Sequence, residues 1–178
     1  MLKPLGSRIL ITERFILRPF KIQDCEMMYY FYLSDPIVCK YLEFNNYQNI
    51  QDVYNTLVMY INNYRDLFYF HWAIEEKTTG NVIGSVSIHN LNFNNLTGEL
   101  GICLSRYYWK RGIGKEVLSK VMMYGFNEIG IKQFQAYYLE GNEASKALLK
   151  ALGLKDNPKL TKRIKKKGAY YTAYCLSS

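Results

Sequence analysis

The sequence is poor in the ligands that metal and thiol chemistry require. Its four cysteines, Cys25, Cys39, Cys103 and Cys175, lie scattered without a CxxC pair, and His71 and His89 are its only two histidines. That spacing supplies neither a zinc site nor a disulfide framework, so no metal is expected and the cysteines read as reduced structural thiols. A Ser-His-Asp triad is not expected either, which leaves carboxylates, hydroxyls, water and backbone dipoles to do the chemistry. No uninterrupted apolar run approaches the roughly 18 residues of a membrane span, and residues 1–8 lack the apolar stretch of a signal peptide. A soluble, cytoplasmic protein with no membrane partner is the expectation.

What is present suits one compact domain over residues 1–178. Hydrophobic residues make up 49% of the chain and aromatic residues 16%, ample for a core. No repeat, linker or low-complexity tract interrupts it. The net charge of +8 is unevenly placed, with Lys155, Lys159, Lys162, Arg163, Lys165, Lys166 and Lys167 crowding the C-terminal segment. Tyr170, Tyr171 and Tyr174 follow in strand-like alternation rather than interleaving with these cations. A solvated hairpin is therefore favoured over a nucleic-acid partner, although the charge also suits the phosphates of a ligand.

One stretch specifies a chemistry. From Tyr107 to Val117 the chain reads YYWKRGIGKEV, set between an alternating strand and an amphipathic helix. Gly112 and Gly114 let backbone approach a ligand closely, and the helix behind them offers unpaired N–H groups and its positive dipole end. Lys110, Arg111 and Lys115 add cations at the same point, and Ile113 lies between the glycines. A dinucleotide fingerprint is excluded because Val117 stands where a third glycine belongs. A P-loop is excluded because Trp109 and Glu116 occupy its first glycine and its Ser/Thr. What remains is a pyrophosphate-binding turn or an ordinary basic loop.

The coarse order alternates. A first strand is expected over 9–17, then a helix from near Asp24 stopped by Asp35-Pro36. A second helix follows Asn49, a good N-cap, with Ile50, Val53, Tyr54, Leu57, Val58, Ile61 and Tyr64 at helical spacing. Strands at 69–75, 82–88 and 97–104, joined by Gly- and Asn-rich turns, read as an antiparallel meander. A helix at 114–129, with Gly125 on its inner face, a strand at 133–139, a helix at 142–152 and a closing hairpin complete an α/β arrangement of α+β type.

The turn resembles the acyl-CoA turn of the GNAT family, the Gcn5-related N-acetyltransferases. The likeness continues in Thr12-Glu13-Arg14-Phe15-Ile16-Leu17-Arg18-Pro19-Phe20, in Asp35-Pro36, in Gly98-Glu99-Leu100-Gly101-Ile102, and in Asn142-Glu143-Ala144-Ser145 ending at Leu152-Gly153-Leu154. In order and spacing these are similar to the branch containing ribosomal-protein N-terminal alanine acetyltransferases. Two departures stand out. Trp109 occupies the place where the wider family has Gln or Arg, as is common in that branch, and Leu149 stands where many relatives carry a Tyr that protonates the departing thiolate.

The resemblance implies a GNAT-like mixed, mostly antiparallel sheet flanked by helices, whose parallel strands 97–104 and 133–139 splay apart to admit acetyl-CoA as cosubstrate. It implies cofactor contacts from Ile102, Cys103, Leu104, Lys110, Arg111, Gly112, Ile113, Gly114, Lys115, Asn142 and Ser145. Primary amines are largely protonated at neutral pH and cannot attack a thioester until a base takes a proton. Side chains alternate along 97–104, placing Glu99 with Gly101 and Cys103 opposite Leu100, Ile102 and Leu104. Glu99 is accordingly the candidate base, with His71 and His89 as alternatives; an exposed Glu on a half-buried sheet reads the same way. Ser145 is the candidate proton donor to the CoA thiolate, in the place of the branch's serine, or else a first-turn hydroxyl behind an Asn142 N-cap. Backbone N–H groups near Ile102 to Leu104 are candidates to polarise the thioester carbonyl.

The acceptor groove implied by the resemblance lies between residues 41–47, where aromatic side chains beside Glu43 suit a cationic amine, and residues 165–170. The partner expected there is a primary amine, either a peptide N-terminus or a small amine such as a polyamine or aminoglycoside, on a monomer or homodimer. A non-catalytic CoA-binding module and a nucleic-acid-binding domain are the competing classes.

Overall fold

The computed structural model describes residues 1–42, 44–166 and 168–178; the expectations placed on Glu43 and Lys167 lie outside them. Among the described residues nine strands form one sheet in the order β1-β2-β3-β4-β5-β6-β9-β7, with β8 also paired to β9. They are β1 (Leu10–Ile11), β2 (Phe15–Arg18), β3 (Phe70–Glu76), β4 (Val82–Asn92), β5 (Thr97–Leu104), β6 (Gln133–Leu139), β7 (Lys155–Asp156), β8 (Lys162–Lys166) and β9 (Ala169–Ser177). Every pairing is antiparallel except that of β5 with β6. The mixed, mostly antiparallel sheet expected from the resemblance is the one observed.

The first strand does not run unbroken over 9–17. Thr12 turns the chain back, its hydroxyl accepting the Phe15 N–H at 2.9 Å, so that Leu10 pairs with Leu17 and Ile11 with Ile16. A short polar side chain that satisfies its own backbone competes with strand continuation, and here the turn wins. Helix α1 (Cys25–Met28) widens into a π turn at Tyr29–Leu33 and stops before Asp35-Pro36, where Asp35 Oδ1 accepts the Ile37 N–H at 2.9 Å. Helix α2 (Ile50–Asn63) begins at Asn49, whose side chain accepts the Asp52 N–H at 2.9 Å. It buries Val53 and Leu57 and leaves Ile50 and Tyr54 exposed.

Helix α3 (Ile113–Tyr124) passes through a π turn at Gly125–Ile129 and ends at Gly130, whose φ is +89°. Helix α4 (Glu143–Ala151) follows β6. A Cβ on Gly125 would lie 2.3 Å from the Phe134 ring, so only glycine lets α3 lie this close to β6. None of these helices is long and apolar enough to cross a membrane among the described residues.

Two cores follow from the alternation. One face of the sheet packs Trp72, Ile74, Val86 and Leu100 against Val117, Leu118 and Val121 of α3 and Leu149 of α4. The other packs Ala73 and Val82 against Met28, Tyr32, Val53 and Leu57 of the first two helices. A buried ion cluster ties α1 to the sheet: the Arg18 guanidinium forks onto both Asp24 oxygens at 2.8 Å and its Nε contacts Glu75.

Candidate active site

The glycine turn expected to bind pyrophosphate lies where β5 gives way to α3. Lys110 (φ +59°) and Gly112 (φ +73°) both adopt left-handed backbone. The helix then starts at Ile113, with the Glu116 N–H bonded to Gly112 O at 3.2 Å, and the N–H groups before Glu116 have no acceptor within the helix itself. The two glycines do different work. Gly112 takes a conformation costly for other residues, whereas Gly114 is helical and buried, and a Cβ there would lie 2.8 Å from Leu148 of α4. Gly114 therefore sets the spacing of two helices.

Arg14, not singled out in the sequence, holds the turn from below. Its backbone N–H and its Nε donate to the two oxygens of Glu116 at 2.9 and 2.7 Å, and its Nη1 donates to Arg111 O at 3.1 Å. These contacts outweigh burial and draw the Glu116 carboxyl below its usual range. Lys110, Arg111 and Lys115 are exposed around the turn.

Strands β5 and β6 pair only at Thr97–Gln133, Gly98–Phe134 and Glu99–Gln135. Beyond Glu99 the two separate, which is the opening expected from the resemblance. Ser105 N–H bonds across to Ile83 O, and alternation from it turns the backbone of Cys103 and Gly101 toward β4 and that of Ile102 and Leu104 toward the opening. The free edge therefore presents Ile102 and Leu104, but not Cys103, while Trp109 Nε1 donates to Leu104 O at 2.9 Å. As expected, Ile102 and Leu104 pack on the α3 side and Cys103 on the α1–α2 side.

At the start of α4, Asn142 accepts the Ser145 N–H at 3.2 Å, so the N-cap is real and Ser145 sits half-buried in the first turn. Leu149 is 4% exposed and belongs to the core.

Glu99 is half-buried on the α1–α2 face. Its Oε2 accepts from Asn90 Nδ2 at 3.0 Å and lies 3.7 Å from His89 Nε2, while His89 Nδ1 is 3.2 Å from Ser87 Oγ. Ser87, His89 and Glu99 thus neighbour one another, the imidazole at hydrogen-bond distance from the hydroxyl and at ion-pair distance from the carboxylate. Sequence distance hid this array, since Ser87 and His89 reach Glu99 only across the β4–β5 pairing. His71 is not in this array. Phe20, Tyr60 and Tyr69 enclose its ring, and burial holds its imidazole down to about 3.

Among the described residues, the hairpin is tied to Lys40, just before the expected groove, and Tyr41 is tied to the turn between β6 and α4. Lys166, 5% exposed, donates from Nζ to Lys40 O at 2.6 Å, and Tyr41 OH donates to Gly141 O at 2.8 Å. Lys166 thereby departs from the solvated hairpin expected of this segment. Lys162, Arg163 and Lys165 remain exposed.

Residues 14–155 match the model of the acetyltransferase (GNAT) domain. The chain is 29% identical over 163 residues to a Bacillus subtilis (strain 168) protein named as the uncharacterized N-acetyltransferase YoaA, covering 92% of each. It is similar in fold to the ribosomal-protein-S5-alanine acetyltransferase of Vibrio fischeri (TM-score 0.82, 18% identity, 97% and 96% of the two chains). It is also similar to the spermidine N-acetyltransferase of Vibrio cholerae, solved with CoA and spermine (TM-score 0.77, 14% identity, 93% and 95%).

Proposed function

We propose, from the premise that this chain belongs to the acetyltransferase (GNAT) family and is an acetyl-CoA-dependent N-acetyltransferase, that acetyl passes directly to a primary amine in a ternary complex. The observation that carries this reading is the opening between β5 and β6 beyond Glu99. It leaves the Ile102 and Leu104 edge for the pantetheine arm and thioester, with the pyrophosphate on Lys110, Arg111, Gly112, Ile113, Gly114 and Lys115. On the neighbouring face of β5, Glu99 and His89 meet the amine. Desolvation raises the pKa of the nearby Cys103 thiol, which disfavours the thiolate an acetyl carrier needs. Asn142 and Ser145 approach from α4, with Ser145 as proton donor to the thiolate.

The acceptor in this reading is the N-terminus of a protein, entering end-on. The likeness to the alanine acetyltransferase branch and the exposed cations of the hairpin support it. A second reading, a small amine, draws support from the contacts that hold Lys166 on Lys40 and Tyr41 on Gly141, beside the expected groove. A thiol-release assay with acetyl-CoA decides between them. Peptides beginning with Ala or Ser, with acidic residues a few positions in, should exceed spermidine and an aminoglycoside in kcat/KM. A clear preference for either small amine would overturn the protein-substrate reading, and no release with any amine would overturn the enzyme reading itself.

A further inference from the structure

The geometry points to His89, held between Ser87 and Glu99, as the group that takes the proton from the acceptor amine. This deepens the reading above and rests on it.

Position comes first. Glu99 and Gln135 form the last pair before β5 and β6 separate, so Gly101 is the first residue on this face of β5 beside the opening. A Cβ on Gly101 would lie 2.8 Å from Ser87 Oγ and 3.1 Å from His89 Cε1. The imidazole therefore lies over Gly101, at the mouth of the opening, in space that only glycine leaves.

Access separates the two bases. The His89 side chain is 47% exposed and that of Glu99 17%. His89 lines a cleft of about 570 Å³ with Asp66, Tyr69, His71, Ser87 and Asn90, and Glu99 is not among its walls. One Glu99 oxygen is already engaged by Asn90. On the side of this cleft the imidazole is the more accessible of the two groups.

The proton inventory agrees. An ionised carboxylate only accepts, so Glu99 favours the tautomer with its proton on Nε2 and leaves the Nδ1 lone pair beside the Ser87 hydroxyl. The ammonium gives one proton to Nδ1, directly or through that hydroxyl, which accepts from nitrogen as it donates to the ring. The neutral amine then attacks the thioester carbonyl. A C–N bond forms, the C–S bond breaks, and the second proton of the nitrogen ends on the departing thiolate. The imidazolium, stabilised by Glu99, returns its proton to solvent. Among the described residues, the other ionisable groups facing this array include Asp66 and Tyr69 before β3, His71 on β3, Tyr137 on β6 and Cys175 on β9. Glu99 bears on both Tyr137 and Cys175, and Lys162 of β8 lies over the Tyr137 ring.

The test is kcat/KM against pH for wild type and His89→Gln, using the best amine from the panel. A loss of roughly 10²–10⁴-fold at neutral pH is expected. The wild-type profile should carry an acid limb that the variant lacks. Added imidazole should partly restore a His89→Gly variant, and the acetyl-CoA-induced rise in Tm should be unchanged in both. Wild-type rates in His89→Gln across the pH range would overturn the proposal. A second arm needs no turnover. With only two histidines in the chain, the His89 ring can be followed by NMR, and Glu99→Gln should move its titration to lower pH. A titration that Glu99→Gln leaves in place would also overturn it. A failure to acetylate any amine would instead fall on the function reading, with the NMR arm still deciding the dyad.

Discussion

Gly112 and Gly114 look interchangeable in a basic turn, yet substitution should separate them. A Cβ on Gly114 would lie 2.8 and 3.3 Å from the two methyl carbons of Leu148. Overpacking of that kind costs about 1–3 kcal/mol, while replacing a helical glycine by alanine returns about 1 kcal/mol. Gly114→Ala alone should therefore lose roughly 0–2 kcal/mol. In a Leu148→Ala background the clash is gone, and the same change should gain about 1 kcal/mol, a coupling of about 1–3 kcal/mol. Gly112→Ala differs in kind. Its nearest neighbour would be Arg14 Nη2 at 3.9 Å, so space is not the problem; the cost is the φ of +73°, about 1–2 kcal/mol, and Leu148→Ala should not relieve it. Urea unfolding of wild type, the three single variants and the two doubles with Leu148→Ala measures both couplings. The Tm rise on adding acetyl-CoA should persist in Gly114→Ala/Leu148→Ala and shrink in Gly112→Ala. Additivity of Gly114→Ala with Leu148→Ala to within about 0.5 kcal/mol would refute the assignment of Gly114 to helix spacing.

Four further outcomes are expected. Arg14→Ala should raise KM for acetyl-CoA several-fold with little change in kcat, because it frees the turn without touching the amine; an unchanged KM would remove its positioning role. For His71, held at about 3 against an ordinary 6.5, the folded state binds fewer protons than the unfolded chain. Stability is then whole above pH 6.5 and falls as pH drops toward 3, by up to roughly 1.4 kcal/mol per pH unit, and denaturation of His71→Gln against pH should show a shallower slope. Asp24→Ala leaves the buried Arg18 guanidinium with Glu75 as its one carboxylate partner and should cost about 3 kcal/mol in urea unfolding; a loss under about 1 kcal/mol would show the cluster to be solvated. Ser145→Ala should lower kcat modestly while acetyl-CoA binding holds, since water can replace a hydroxyl donor, and an unaltered kcat would leave Ser145 as a first-turn residue.

Much of the fold was legible because its signals are local. The Asn49 cap, the stop at Asp35-Pro36 and the alternation of Leu100, Ile102 and Leu104 each depend on residues within a few positions, and the structure follows them. The strand over 9–17 failed because the side chain of Thr12 competes for the backbone, which apolar periodicity does not register. The two-residue β7 carries too short a pattern to be seen.

The candidate site divides the same way. Chemistry carried by contiguous residues, the turn at Lys110 to Lys115 and the Asn142 cap of Ser145, is written in the order of the chain. Contacts made across the sheet are not: Arg14 meets Glu116, Lys166 reaches Lys40, and His89 meets Glu99 only through strand register and helix packing. Nothing in the spacing of two histidines marks one as enclosed by aromatic rings and the other as open beside a carboxylate. Residues distant in sequence have no fixed separation until the backbone closes on itself, so composition and motif could name the reacting types, and the packed sheet chose which of them face one another.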